Sequence, residues 1–224
     1  MVEFIFMLTQ HDRTVGNGVE LIESLADTGL RYVGFKDVGA SAKEQQELTA
    51  AAHRHGMEVM LEVVSTSAEA ETASLHSARA AGVDWVLGGT HPEAGISVLG
   101  DTGIKYCPFP GVVTGHPSIL SGSIESIAEH AKSLTEHDSV AGVDLLTYRH
   151  QTVDAEQLTT AVAAAIDGPL IVAGGIVTED QIALVARSGA WGFTIGTAIF
   201  EAWRAGGPPV ADQVVKVLAI AGVV

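Results

Sequence analysis

The chain has 224 residues, 47% hydrophobic and 5% aromatic, with a formal net charge of −15. That length fits one large α/β domain or two small ones, and the acidic surplus argues against a general nucleic-acid binder or a ligand of anionic membranes. Cys107 is the only cysteine, so no intrachain disulfide is possible, and a reducing, cytoplasmic setting is the expected compartment.

Residues 1–8 lack the basic region and cleavage site of a signal peptide, and no apolar run reaches the length of a membrane span. Residues 3–9 read as a first strand, followed by a polar loop over 10–17. Val19, Leu21, Ile22 and Leu25 recur at helical spacing, and Gly29 stops that helix. Residues 31–38 read as strand two. Ser41 with Glu44 three positions on is a capping-box pattern for a helix that Gly56 ends, and 57–64 reads as strand three. The order then repeats. Ser67 caps a helix through Ala81, Gly82 ends it, and 83–87 is strand four. Gly103 precedes strand five at 104–109, and the long segment 112–121 after it is a candidate lid. Ser123 caps a helix through about Thr135, and 140–147 is strand six. Residues 154–166 are helical, and 170–173 is strand seven. Thr178 or Glu179 opens the next helix, Gly189 closes it, and 193–195 is strand eight. Helical pieces over 198–204 and 211–221 flank a Gly206-Gly207-Pro208-Pro209 break.

Eight strands, each followed by a helix or a shorter helical piece, predict a single (β/α)8 TIM barrel of the α/β class spanning residues 1–224, in preference to a doubly wound open sheet. An internal similarity supports closure: Gly82 to Thr90 and Gly189 to Thr197 both place Gly-Thr at the same distance after a helix-ending glycine.

Active sites of such barrels lie at the C-terminal ends of the strands, where side chains alternate between lumen and helices. On strand two, Val33 and Phe35 suit the helix layer, which turns Gly34 and Lys36 inward. On strand three, Val59, Leu61 and Val63 suit the helix layer, which turns Met60 and Glu62 inward. Lys36 and Glu62 are therefore the expected catalytic pair. A lysine and a glutamate in a low-dielectric mouth can shuttle a proton at a carbon next to a carbonyl, or the lysine can form a Schiff base. Gly174, Gly175, Gly196 and Thr197 lie where strands seven and eight turn into helices. There, missing side chains expose backbone N–H groups and a helix N-terminus adds a favourable dipole, which predicts a phosphate cup. Gln10 and His11 in the first loop, His91 after strand four and Arg149 after strand six are candidate substrate contacts. No two histidines show a metal-ligand spacing, and Cys107 reads as a small core residue.

Ala173-Gly174-Gly175-Ile176 and Ile195-Gly196-Thr197-Ala198 resemble the paired phosphate motifs of ribulose-phosphate-binding barrels. That group includes isomerases of histidine and tryptophan synthesis, sugar-phosphate epimerases, thiamine-phosphate synthase and the keto-deoxy-phosphogluconate aldolases. The resemblance covers roughly the last quarter of the chain and implies a substrate phosphate at Gly174, Gly175, Gly196 and Thr197. It selects no member. Pro110-Gly111-Val112-Val113-Thr114 is similar to a turn of the aldolases, yet their lysine position on strand six holds Leu145, Leu146 and Thr147 here. The His-x-Asp metal pair of the pentose-phosphate epimerases is missing around Lys36 and Asp37. The aspartates of the histidine-pathway isomerases are replaced by Thr9-Gln10 and Cys107-Pro108.

Together these readings predict a cofactor-independent isomerase or epimerase of a small phosphorylated sugar-like metabolite, with no metal, no nucleic-acid or membrane partner, and a possible homo-oligomer, the apolar C-terminus packing either on the barrel base or on a neighbour. A Schiff-base aldolase or lyase and a non-catalytic phosphometabolite or FMN-binding barrel are the alternatives.

Overall fold

The computed structural model describes residues 2–65, 67–204 and 209–222. The Gly206-Gly207-Pro208 part of the expected break lies outside the described residues. Eight parallel strands form one sheet: β1 (Glu3–Met7), β2 (Tyr32–Lys36), β3 (Glu58–Val63), β4 (Trp85–Gly88), β5 (Lys105–Cys107), β6 (Val143–Leu145), β7 (Leu170–Val172) and β8 (Gly192–Ile195). Their spatial order is β6-β7-β8-β1-β2-β3-β4-β5. The remaining seam is bridged by two backbone bonds: Ala141 N donates to Tyr106 O at 2.8 Å and Asp144 N to Pro108 O at 3.0 Å. The sheet is a nearly closed TIM barrel.

The helices are α1 (Gly18–Ser24), α2 (Ala42–Arg54), α3 (Ala68–Ala81), α4 (Pro92–Leu99), α5 (Ile124–Thr135), α6 (Ala155–Ala165), α7 (Glu179–Arg187), α8 (Thr197–Arg204) and α9 (Val210–Ala221). Local chemistry sets most of their starts. Ser41 and Thr178 form complete capping boxes with Glu44 and Gln181, and Ser67, Ser123 and Asp154 each accept a hydrogen bond from an amide three residues on. Helix α4 has a remote cap instead: Glu71 of α3, fully buried, accepts from Thr90 N at 2.9 Å and His91 N at 3.0 Å. Among the described residues, no helix is long and apolar enough to cross a membrane.

Two apolar layers follow from strand alternation. Phe4, Phe6, Val33, Phe35, Val59 and Leu61 face the helices in the larger cluster. Ile5, Met7, Tyr32, Met60, Trp85, Leu87, Cys107 and Ile171 fill the lumen. Gly34 faces inward, where a Cβ would collide with Sδ of its ladder partner Met7, so its missing side chain leaves that room to Met7. The C-terminal helix packs on its own barrel: Val214, Leu218 and Ala221 are buried, and Val2 N donates to Ala221 O.

Three expectations need adjustment. The first strand stops at Met7. Residues beyond it fold into an antiparallel hairpin, Thr9–Gln10 with Arg13–Thr14, whose turn residues His11 and Asp12 both take positive φ, 50° and 59°. Two left-handed residues in a two-residue loop match the twist of the flanking strands, and this turn aims both side chains at the mouth. Strand six shrinks to Val143–Leu145, with a 3₁₀ turn at Thr147–Arg149. The candidate lid is a second hairpin, Val112–Thr114 with Ile119–Ser121. The internal similarity holds through the strands and ends at the loops. β4 and β8 each begin three residues after a left-handed glycine, but Gly88 and Gly89 both take positive φ whereas α8 starts directly at Thr197.

Candidate functional site

A cavity of about 300 Å³ opens at the C-terminal mouth of the barrel. Lys36 and Glu62, the turns at Gly174, Gly175, Gly196 and Thr197, and the side chains of His11, Asp12 and Arg149 all line it.

The ladder between β2 and β3 places Lys36 directly opposite Glu62, and both point inward because Phe35 and Leu61 between neighbouring turns point outward. Lys36 Nζ lies 3.6 Å from Glu62 Oε2 and 2.7 Å from Asp12 Oδ1. Asp12 also faces Arg149, whose guanidinium nitrogen is 3.5 Å from the same oxygen. Burial by itself would lower the Lys36 ammonium. The charge of Glu62 and the hydrogen bond and charge of Asp12 outweigh it, and the lysine is held above its ordinary value. Burial would raise Asp12; the hydrogen bond and charge of Lys36, then Arg149 and His116, outweigh it and hold the carboxyl below its ordinary value. At neutral pH the lysine is an ammonium and Asp12 a carboxylate.

The glycine wall is built by close approach. Gly174 and Gly175 take φ of 72° and 85°, conformations that L side chains rarely adopt. A Cβ on Gly174 would sit 2.9 Å from Arg149 Nε, and one on Gly175 3.0 Å from Tyr148 Cβ. Arg149 therefore packs directly against this turn. The turn's own hydrogen bonds run from the Val177 and Thr178 amides to Gln181 Oε1, while the Gly174 and Gly175 amides donate to no acceptor among the described residues. At Gly196 a Cβ would collide with Thr9 Oγ1 and lie 2.9 Å from Thr9 O, so the end of β8 can close on the first hairpin only without a side chain. Thr197 begins α8, and its Oγ1 accepts from His11 N at 3.2 Å. Free amides, a helix N-terminus and a guanidinium converge on one end of the cavity, an arrangement suited to a phosphate or carboxylate.

Two expected contacts fall elsewhere. Gln10 alternates away from the mouth within its hairpin, lines a separate recess with Arg13 and Thr14, and its Nε2 is buried without a partner among the described residues. His91 is tied by Nδ1 to Glu71 Oε2 at 2.9 Å and does not line the cavity. Thr90 beside it lines a smaller cavity, about 180 Å³, under the second hairpin. Cys107 is fully buried in the lumen. Burial, and after it the charge of Asp144, push its thiol far up, so it is an inert packing residue.

Two acidic groups were not among the site residues expected from sequence: Asp12, which lines the cavity, and Asp144, which does not. Asp12 reads as one polar residue among several in a loop, and only the hairpin turn aims it at Lys36. Asp144 has a signal, a lone carboxylate at the inward position of an apolar strand, Val143-Asp144-Leu145. It is fully buried beside Glu62 and Lys36. Among the described residues no group of three or more His, Cys, Asp or Glu is arranged to hold a metal ion.

No known family profile matches the chain, and no curated protein sequence does. Solved structures do. The YdjI aldolase of Escherichia coli K12 superposes with a TM-score of 0.70 at 12% identity, covering 99% of this chain and 91% of that one. Monomers of the dimeric phosphoribosylanthranilate isomerase of Thermotoga maritima give 0.67 at 16%, covering 100% of both chains. Tryptophan synthase from M. tuberculosis gives 0.70 at 16%, covering 98% and 92%. These likenesses show the fold, a barrel shared with aldolases, a synthase and an isomerase, and identify no member.

Proposed function

We propose that the chain is an enzyme that moves a proton on a small phosphorylated sugar-like metabolite, as an isomerase or epimerase without a cofactor. The observation that carries this reading is the Lys36–Glu62 pair at 3.6 Å lining the same cavity as the Gly174, Gly175, Gly196 and Thr197 turns. The phosphate is anchored by the glycine amides, the start of α8 and Arg149. The reacting carbons then lie across the mouth. Glu62 as carboxylate takes the proton from a carbon next to a carbonyl. The Lys36 ammonium faces the oxygen on which negative charge develops. Glu62 then returns the proton to the adjacent carbon or the opposite face, so the enzyme ends as it began.

A second reading, a Schiff-base aldolase or lyase, draws on the single lysine in the cavity lining and on the aldolases that share the fold. Nucleophilic attack needs a neutral amine, and Glu62 and Asp12 hold Lys36 as an ammonium, which favours proton transfer.

Ligands retained by the native protein, identified by mass spectrometry, would set the panel of sugar phosphates. Incubation of that panel in D₂O, followed by NMR, is expected to show deuterium entering a carbon next to a carbonyl. Lys36→Ala and Glu62→Gln are expected to stop the exchange while leaving the fold intact. Undiminished exchange in both variants sinks the assignment. Borohydride trapping of an adduct on Lys36 would move the reading to the lyase.

A further inference from the structure

The first hairpin is fixed from both sides. Toward β2, Lys36 N donates to Thr14 Oγ1 at 3.0 Å, Thr14 Oγ1 donates to Lys36 O at 2.9 Å, and Thr14 N donates to Val38 O at 3.0 Å. Toward α8, His11 N donates to Thr197 Oγ1 at 3.2 Å, and Gly196 closes on Thr9. The turn between these ties holds its place rather than swinging over the cavity. His11 and Asp12 are the only residues besides glycine at positive φ among the described residues. Asparagine and glycine also suit such a turn, so what aspartate adds at position 12 is a carboxylate.

Distances decide what that carboxylate holds. Lys36 Nζ donates to Asp12 Oδ1 at 2.7 Å, a short charge-assisted bond. Arg149 lies 3.5 Å from the same oxygen, and Glu62 Oε2 lies 3.6 Å from the same nitrogen, both beyond good hydrogen-bond length. The lysine therefore stands between two carboxylates, bonded to one and withheld from the other. Without Asp12, the carboxylate left to the ammonium is Glu62, directly opposite on the ladder. A carboxylate that accepts a bond from an ammonium is a weaker base, because the pair must part before it takes a proton from carbon. Of the other ionisable groups, Arg149 and His116 face Asp12, and Asp144 of β6 faces Glu62.

We propose that Asp12 is the positioning residue of the site. By taking the hydrogen bond of the Lys36 ammonium it holds that group off Glu62, so the glutamate stands free as the base and the lysine's remaining N–H groups face the substrate oxygen. This deepens the proton-transfer reading and rests on it for the parts Lys36 and Glu62 play toward substrate; the placement of the ammonium needs no substrate.

Asp12→Asn and Asp12→Gly test it, since both suit a positive φ and only the first keeps an acceptor oxygen. Crystal structures of wild type and both variants, without substrate, are the first readout. The separation of Lys36 Nζ from Glu62 is expected to stay near 3.6 Å in wild type and Asp12→Asn, and to contract to about 2.8 Å in Asp12→Gly. A lysine that keeps its place in Asp12→Gly overturns the proposal.

Deuterium exchange on the sugar-phosphate panel is the second readout. In Asp12→Gly, kcat is expected to fall about 10²-fold. Asp12→Asn is expected to recover most of that loss. KM stays unchanged in both, because the glycine turns and Arg149 are intact. Equal losses in the two variants, or a loss confined to KM, overturn the proposal as well. The two readouts keep the failures apart. A lysine that moves as expected in a protein that exchanges nothing removes the functional reading and leaves the placement by Asp12. Wild-type exchange with an unmoved lysine removes Asp12 and leaves the functional reading.

Discussion

Strand β3 carries a glutamate at each end of its inward face, and each meets a lysine at the same distance. Glu62 to Lys36 at the mouth and Glu58 to Lys105 at the base are both 3.6 Å. Their surroundings differ. At the base, the Glu58 and Lys105 side chains are 41% and 50% exposed. Glu58 also accepts from Trp85 Nε1 at 2.7 Å, Lys105 lies 4.1 Å from the Trp85 ring centroid, and Trp191 stacks on Trp85 at 5.2 Å. At the mouth the two side chains are 7% and 11% exposed beneath an open cavity. Identical residue types at identical separation thus make a solvated brace over an aromatic plug at one end and, at the other, a buried pair lining the cavity, to which the proposed proton transfer is assigned. Burial decides between them, because a pair in water contributes only about 0–1 kcal/mol, whereas a dry one governs where protons sit.

The contrast is broken or sharpened by experiments of decreasing expected effect. Lys36→Ala or Glu62→Gln is expected to lower turnover about 10²–10⁴-fold, while Lys105→Ala and Glu58→Gln leave kcat/KM unchanged; equal losses at both ends would falsify the division of labour. Trp85→Ala opens the plug and is expected to cost about 3–5 kcal/mol in urea unfolding. Glu62→Gln, which keeps Lys36 paired to Asp12, should cost far less, and a reversed order would place the structural brace at the mouth.

Gly174→Ala puts a methyl group against Arg149 at a positive φ. Calorimetry with inorganic phosphate is expected to show affinity about tenfold weaker, roughly 1.4 kcal/mol, and unaltered affinity would remove this turn from the cup. Asp12→Asn tests the rim. The folded Asp12 carboxyl lies below its unfolded value, so its contribution to stability is present above the unfolded value and is lost as pH falls through the folded one. Thermal unfolding of wild type between about pH 5 and pH 2 should fall more steeply than that of Asp12→Asn; parallel curves would detach Asp12 from Lys36. Smallest of all, Glu58→Gln is expected to change stability by at most about 0.5 kcal/mol.

The sequence by itself determined the barrel, the glycine wall and the inward direction of Lys36 and Glu62. The physical reason is that these are local or strictly periodic. Ser41, Ser67, Ser123, Asp154 and Thr178 cap their own helices, alternation along a strand has period two, and a glycine that must approach another chain segment closely stays visible as a missing side chain. Tertiary structure alone decided what those side chains meet. Gln10 and His11 are adjacent, yet the left-handed turn sends Asp12 onto Lys36 and leaves Gln10 in a separate recess. His91 belongs to Glu71, twenty residues earlier on another helix. Asp144 is a buried carboxyl that finds no hydrogen-bond partner among the described residues, which no stretch of sequence shows. Charge acts through space, across strands far apart in the chain, so the protonation of the mouth was set by closure of the barrel rather than by any stretch of residues within it.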